Sequence, residues 1–493
     1  MIGLVSSIYG GSGDHGICIG SILSISCDLF VCGLGKVFFT RSLPFTYAMA
    51  AKAHRSFSKL MSVNSRFLSR KSEGQNVAVK VPMQNNVASK DRVVAFYGRA
   101  ASQARSHQIQ SAASSPQLPV PQKEENQVPD FTHLYEDRGL NPLIAEFNEK
   151  AHDWLVTHDV HTQMGPEGWK EFKSGRTPYL VGEVYHDVDR KDFLWCAKFI
   201  AWISCLDDFC DKLEIWSDMN KTIGLILETQ KVILWFCSED PRLLRNLEMV
   251  FDCIPTDQRD DVFSAFADSL AYARTSSRAG LMSLDLQPLA SALRELLIEY
   301  CERLPYDCNV RMAQYIQNYA LTIVTETKSR LSAEYHTSVA EFTDFRTRSI
   351  GVQPLIGLTD LFIDSRRWPQ IPKDVFVDTN VQALVDASCR AVAWDNDMSS
   401  FSKEVQERGD RFNVIFIIME ECGCSQIEAM NRAKEMFQNE INEFETRVAN
   451  LKVEPQYQNA VAEYVRICRL IILGIPRWHR KSQRYQKEDH YLR

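Results

Sequence analysis

The feature that most limits how this 493-residue chain can fold is a change of periodicity near Pro129. Beyond it, apolar residues recur three and four positions apart over long stretches, the spacing that lines one face of an α-helix. Lys191 to Trp216, Met219 to Cys237, Gln287 to Arg303, Asn309 to Tyr335, Val381 to Arg408, Ser425 to Leu451 and Gln456 to Gly474 all carry it. Breakers fall between such segments at Glu239-Asp240-Pro241, Ile254-Pro255 and Trp368-Pro369, while alternating Val, Ile and Thr runs are scarce. No internal repeat is present. The pattern predicts an all-α body, a single helical domain over residues 122–493, long enough to enclose a sizeable core.

The first 121 residues are a different kind of sequence. They hold 13 Lys and Arg against 4 Asp and Glu, whereas the remainder holds 43 against 59, and they end in the breaker-rich run Ser114 to Pro121. Residues 1–121 therefore read as a basic, largely disordered extension or targeting segment. Met49 opens a basic, hydroxyl-rich stretch resembling an organellar transit peptide, which makes Met49 a candidate start. The expected location is cytoplasmic, or plastid or mitochondrial if residues 49–121 act as a leader, and not secreted. Ile17 to Leu34 has about the length of a membrane span, but Gly20, Asp28 and Gly33 interrupt it, so no stable membrane insertion is expected.

Composition excludes further classes. An acidic body lacks the clustered positive charge that a nucleic-acid surface needs, so no nucleic-acid partner is expected. Fourteen cysteines, scattered as singletons such as Cys196, Cys205, Cys253, Cys301 and Cys468, form neither a disulfide framework nor a zinc spacing and fit a reducing compartment. Cys422 and Cys424 read as ordinary thiols. Gly11, Gly13 and Gly16 match the spacing of a dinucleotide loop but lack the surrounding strand, helix and downstream acid.

Two motifs carry the chemistry. Asp207-Asp208-Phe209-Cys210-Asp211 closes a helical run, and at helical spacing Asp207 and Asp211 share a face, able to reach one hard cation cluster. Alone, such a motif is commonly a solvated acidic helix end. The second motif is Asn396-Asp397-Met398-Ser399-Ser400-Phe401-Ser402-Lys403-Glu404. Asn396, Ser400 and Glu404 stand at i, i+4 and i+8, a ladder of oxygen ligands over two helical turns, and Lys403 adds a compact charge suited to a phosphate oxygen.

In this order the two motifs resemble the aspartate-rich motif and the N-D-x-x-S-x-x-x-E motif of class I terpene synthases of the microbial type. The resemblance spans roughly residues 130–490. It implies the class I terpenoid synthase helical bundle, with an N-terminal extension. It also implies three Mg²⁺ ions, two on Asp207 with Asp211 and a third on Asn396, Ser400 and Glu404. Phe345-Arg346-Thr347-Arg348-Ser349-Ile350-Gly351 looks like the family's diphosphate sensor before a helix break, with Arg346 as sensor and Arg348 the alternative in another register. An arginine fork can hold a diphosphate bidentately, and a break beside it brings backbone dipoles to the reacting carbon. Arg477 to Tyr485 resembles the family's tryptophan followed by an Arg-Tyr pair, which makes Arg484 and Tyr485 donors to the diphosphate; without the family it reads as a basic tail. Trp478 is either a pocket wall facing a carbocation or plain core. From periodicity alone, Phe199, Ile200 and Ile203 are placed on the pocket side of the first motif's helix, or equally in the core.

Asp187-Val188-Asp189-Arg190 lacks the acids of class II cyclases, and Asp260-Asp261-Val262-Phe263-Ser264 fails the spacing of a second aspartate-rich motif, as a chain-elongating prenyltransferase would carry. The interval from Asp211 to Arg346 is longer than in compact family members, and Val250 to Leu289 reads as an insertion. The implied activity is Mg²⁺-dependent ionisation of a linear isoprenyl diphosphate, farnesyl diphosphate first and geranyl or geranylgeranyl diphosphate as alternatives, followed by cyclisation or elimination. Arg346, Lys403, Arg484 and Tyr485 would neutralise the leaving diphosphate in a monomer or homodimer. A reading from another class is a non-catalytic helical isoprenoid-binding protein.

Overall fold

The computed structural model describes residues 139–486, apart from positions 238–240, 255–258, 260–261, 263, 265, 269–280, 283, 285, 333–334, 337, 364–369 and 377. The basic extension and its boundary at residue 121, the start at Met49, the apolar run Ile17 to Leu34, the glycine triplet and the break at Trp368-Pro369 lie outside the described residues. So does most of the Asp260 to Ser264 segment. Among the described residues there is no strand, and no helix is long and apolar enough to cross a membrane.

The expected helices form nearly where periodicity puts them. In chain order they are α1 (Ile144–Thr157), α2 (Val160–Ser174), α3 (Tyr179–Val184), α4 (Arg190–Cys210), α5 (Met219–Cys237), α6 (Pro241–Asp252), α7 (Pro288–Arg303), α8 (Tyr306–Ser332), α9 (Val339–Ser349), α10 (Val352–Gly357), α11 (Thr379–Phe401), α12 (Val414–Cys422), α13 (Gln426–Asn450) and α14 (Gln458–Lys481), with single-turn pieces between some of them. α4 begins where the Asp189 carboxylate accepts from the backbone N–H groups of Lys191 and Asp192, satisfying donors that a helix start leaves free. Phe193, Trp195, Phe199 and Trp202 are all fully buried along it, so α4 is apolar on most sides and runs through the interior. α1 and α7 pack against it. On the other flank α11 is enclosed by α9, α13 and α14, while α8 lies against α5, α9 and α10.

Three local departures from simple helical periodicity shape the ends of the long helices. The run Lys191 to Trp216 ends as a helix at Cys210, with a separate turn at Leu213–Trp216. The run Val381 to Arg408 is α-helical only to Phe401 and continues as a π-helical segment, Ser402–Glu407. The run expected to stop at Gly474 continues to Lys481 with Pro476 inside it. Gly474 is a packing residue there: a Cβ on it would sit 2.6 Å from the Glu183 carbonyl oxygen, so its bareness lets α14 lie against α3. The basic segment after it is consequently helical and buried at Arg477, Trp478 and His479 rather than a solvated tail.

Candidate active site

Both motifs sit at the C-terminal ends of long helices, where unpaired carbonyls concentrate partial negative charge. Asp207 and Asp208 occupy the last turn of α4 and Asp211 caps it; Asn396 and Ser400 lie in the last turns of α11, with Glu404 in the π segment. Carboxylates there oppose the helix dipole, at roughly 0.3–1 kcal/mol each for exposed groups. Two such ends facing one cavity make a place where positive charge is wanted.

That cavity is 310 Å³ in volume. Its lining includes Asp207, Asp211, Asn396, Ser400, Glu404, Arg346, Lys403, Arg484, Tyr485, Trp478, Ile200 and Ile203, so the residues singled out on four separate segments do meet. Two do not join them. Phe199 does not line the cavity; it stacks on Trp195, centroids 5.5 Å apart, and packs beside Trp202. Nor does Arg348, which reaches back along its own helix to Asp344 in an exposed i, i+4 pair, 2.8 Å long. The two-residue step from Arg346 to Arg348 turns the side chains to opposite sides of the helix, about 200° apart, one inward and one to solvent.

The polar network is closely knit. Tyr319 donates from its hydroxyl to Asp207 Oδ1 at 2.9 Å, and Arg484 donates to Asp207 Oδ2 at 3.0 Å and to Asp208. Arg330 donates to Asp410 Oδ2 at 2.8 Å and lies 3.5 Å from Asp211. Arg346 donates to Asn396 Oδ1 at 2.7 Å and, from two nitrogens, to the buried Asp397 at 2.9 and 2.7 Å. Asp397 in turn accepts from the Val414 backbone N–H, which holds its carboxylate in place.

The π segment modifies the expected ladder without dispersing it. Ser400 donates to Glu404 Oε2 at 2.7 Å, and Asn413 donates to the same oxygen at 3.3 Å and to the Asp397 carbonyl at 2.8 Å. A wider turn adjusts where Glu404 points, and π turns recur at functional sites for that reason. The break after Arg346 is also present. Gly351, at φ +71°, starts α10 in the left-handed region, and a Cβ on it would lie 3.4 Å from the Tyr319 ring.

Burial and neighbouring charge shift titrations on both sides of the cavity. Burial, reinforced by Asp397, pushes the Glu404 carboxyl up to about 7. Burial, reinforced by Asp207, raises Asp211. Burial likewise lifts Glu326 to about 8. Lys403 is lowered by burial and then by the nearby Arg484 and Arg408 charges. The acids thus favour a cation beside them and the basic wall favours an anion.

The donor set fits Mg²⁺. It is made of carboxylate, carboxamide and hydroxyl oxygens, and among the described residues no three His, Cys, Asp or Glu side chains converge into a ready-made cage. Mg²⁺ dehydrates reluctantly and is commonly held by one or two carboxylates with waters and substrate phosphates completing its shell.

Periodicity missed Tyr319, Glu326, Arg330, Asp410, Asn413, Asp395 and His479. Glu326 and Arg330 stand at i, i+4 on α8, a spacing that was readable but ordinary on any helix surface. Trp478 is both of the things it could have been: 4% exposed, bonded through its indole N–H to the Arg176 carbonyl, and part of the cavity wall.

Fold and site together present an all-helical body with a hard-oxygen rim facing a basic wall over an apolar floor. A profile described as "Terpene synthase family 2, C-terminal metal binding" matches residues 250–443. Alpha-gurjunene synthase of Marchantia polymorpha is 28% identical over 365 residues, 71% of this chain and 84% of that one. The (+)-T-muurolol synthase of Roseiflexus castenholzii, whose name records the cyclising of (2E,6E)-farnesyl diphosphate, is 25% identical over 64% of this chain and 82% of its own. Among solved structures, a cucumene synthase superposes with a TM-score of 0.52 over 71% of this chain and 99% of that one, at 16% identity. The chain is thus similar, in fold and over most of its helical body, to class I terpene synthases, and the relatives it matches are named synthases and cyclases, which are lyases.

Proposed function

We propose that the chain takes farnesyl diphosphate, ionises it with Mg²⁺ bound at the rim, and cyclises the cation to a sesquiterpene. The observation that carries this reading is the meeting, over one cavity, of two oxygen-bearing helix ends with Arg346, Lys403, Arg484 and Tyr485. The farnesyl chain is favoured because that substrate is written into the name of the Roseiflexus castenholzii relative.

In this reading Asp207 and Asp211 hold two Mg²⁺ ions and Asn396, Ser400 and Glu404 a third. The bound ions supply Lewis-acid stabilisation of the charge that develops on the departing diphosphate. The chain's own residues do the rest. Arg346 and Arg484 present guanidinium forks, Lys403 a point charge and Tyr485 a hydroxyl to the diphosphate oxygens, interactions that strengthen as negative charge accumulates. Ile200, Ile203, Val352 and Leu355 line the part of the cavity that receives the hydrocarbon chain. The Trp478 ring offers a π face to a passing cation. Exclusion of water by these apolar surfaces keeps the carbocation from being quenched.

The test is to incubate the purified full chain with geranyl, farnesyl or geranylgeranyl diphosphate and Mg²⁺, then identify volatile products by gas chromatography with mass spectrometry. Sesquiterpene from farnesyl diphosphate alone, abolished by EDTA and restored by Mg²⁺, is expected. Product from another chain length overturns the substrate assignment. Diphosphate binding with no product from any of the three favours the non-catalytic isoprenoid-binding reading. Asn396→Ala should lower turnover by about a hundredfold or more, the loss expected when several kcal/mol of charge stabilisation disappear.

A further inference from the structure

Beside the Asn396 ladder lies a buried pair, its histidine at the edge of the cavity, that the proposed ionisation does not use. Asp395 and His479 are 0% and 2% exposed, and His479 Nδ1 stands 2.6 Å from Asp395 Oδ2. A carboxylate oxygen at that distance accepts the Nδ1–H hydrogen bond, and in that tautomer Nε2 carries the acceptor lone pair. That lone pair points at Asn396 Nδ2, 3.4 Å away, and Asn396 Nδ2 also donates to the Tyr485 hydroxyl at 2.9 Å. Both hydrogens of the carboxamide nitrogen are thus accepted on one side, and Oδ1 is turned to the other, where Arg346 meets it at 2.7 Å.

We propose that Asp395 and His479 are a positioning pair that fixes the Asn396 carboxamide with its oxygen, not its nitrogen, toward the metal. The inference rests on the reading of Asn396 as a metal ligand. Its physical content is that a carboxamide is nearly symmetric in shape but not in charge. A half-turn about the last side-chain bond would present an NH₂ group to a cation. The Arg346 donor on the oxygen and the acceptors around the nitrogen oppose that turn, and the His479 Nε2 lone pair, set by Asp395, is one of those acceptors. Carboxylate–histidine pairs act on metals directly in many sites; here the same pair acts one residue further out.

Reversing the tautomer tests it. Arg480 Nη2 lies 3.7 Å from Asp395 Oδ1, so in Asp395→Asn the amide oxygen stays toward the guanidinium and the nitrogen turns to His479. The imidazole proton then moves to Nε2, as happens when the aspartate of a catalytic triad becomes asparagine. Nε2–H faces Asn396 Nδ2, two donors oppose each other, and the carboxamide is pushed out of its place, because a flip would set its nitrogen against the Arg346 donor instead. An aspartate at position 396 has acceptors on both sides and tolerates the reversed imidazole.

Calorimetric titration of the full chain with Mg²⁺ in the presence of inorganic diphosphate reads the affinity without requiring turnover. Asp395→Asn should weaken binding about tenfold or more, the usual scale for such outer partners. The same change made on an Asn396→Asp background should cost less than about threefold. Equal cost in both backgrounds, or a change below about threefold in Asp395→Asn, overturns the proposal. If Asp395→Asn does not fold by circular dichroism, His479→Gln and His479→Leu replace it. Glutamine keeps an acceptor and should hold affinity, leucine should lose it, and equal behaviour overturns the proposal. Asn396→Ala separates the two claims. Unchanged binding there defeats the ligand reading itself, whereas loss there with Asp395→Asn at full affinity defeats only the positioning pair.

Discussion

Arg346 donates from Nη2 to the carboxamide oxygen of Asn396 at 2.7 Å, so the candidate diphosphate sensor leans directly on a candidate metal ligand. The contact is organised from behind, since Asp397, fully buried and pinned by the Val414 N–H, receives two further bonds from the same guanidinium. The two candidate groups are therefore mechanically joined. A change in the orientation of α9 relative to α11 moves both.

The two arginines of this segment should behave differently. Arg346→Lys keeps the charge but loses the planar fork that engages Asp397 and Asn396 together, and kcat with farnesyl diphosphate should fall about a hundredfold. Arg348→Ala should leave kcat within about twofold and stability within about 0.5 kcal/mol, as for other exposed changes. Steady-state kinetics of the two variants decide it. Comparable losses from both would remove Arg346 from its assigned role.

Phe199 and Ile203, one turn apart on α4, should separate stability from product choice. Phe199 is fully buried among tryptophans, so Phe199→Ala should lower stability by about 3–5 kcal/mol while leaving the product pattern of the surviving enzyme intact. Ile203 lies on the cavity, and Ile203→Ala should redistribute products at a smaller stability loss. Thermal unfolding with chromatographic product profiles checks both. A changed profile in Phe199→Ala would place that ring at the substrate after all.

The contribution of Glu326 to stability should decline as pH rises from about 5 to about 8 when neither metal nor diphosphate is supplied. Burial lifts Glu326 from 4.5 to about 8, with Arg330 opposing and Asp211 adding to the shift. Between those values the folded chain binds more protons than the unfolded chain, so the slope of unfolding free energy against pH is negative. Glu404, raised to about 7, acts in the same sense over a narrower window. Glu326→Gln should flatten the dependence of the thermal midpoint on pH. A slope unchanged in that variant would mean that Glu326 is ionised throughout.

The helices were legible because their cause is local. Apolar residues three and four apart identified α4, α5, α7, α8, α11, α13 and α14, with ends displaced by a few residues where side chains such as Asp189 set the cap. The metal-ligand candidates were legible for the same reason, since Asp207 with Asp211, and Asn396 with Ser400, are neighbours on one helix. Spacing could not tell which side of α4 meets the cavity, because that helix is apolar nearly all round, and so Phe199 was misplaced. Nor could it report the π turn, which is stabilised from outside by Asn413.

What order along the chain determined, then, was the helical class of the body, the positions of the two oxygen-rich motifs and the family they resemble. Which groups meet was decided only by tertiary packing. Arg484 reaches Asp208 across 276 residues, Trp478 bonds to Arg176 across 302, and Tyr319 meets Asp207 across 112. Such meetings depend on how helices cross and how closely they approach. α14 carries Trp478 and His479 into the site because Gly474 admits the Glu183 carbonyl and the helix passes through Pro476 without stopping. Periodicity reports which face of a helix is apolar; it carries no information on the angle or depth at which that face is buried.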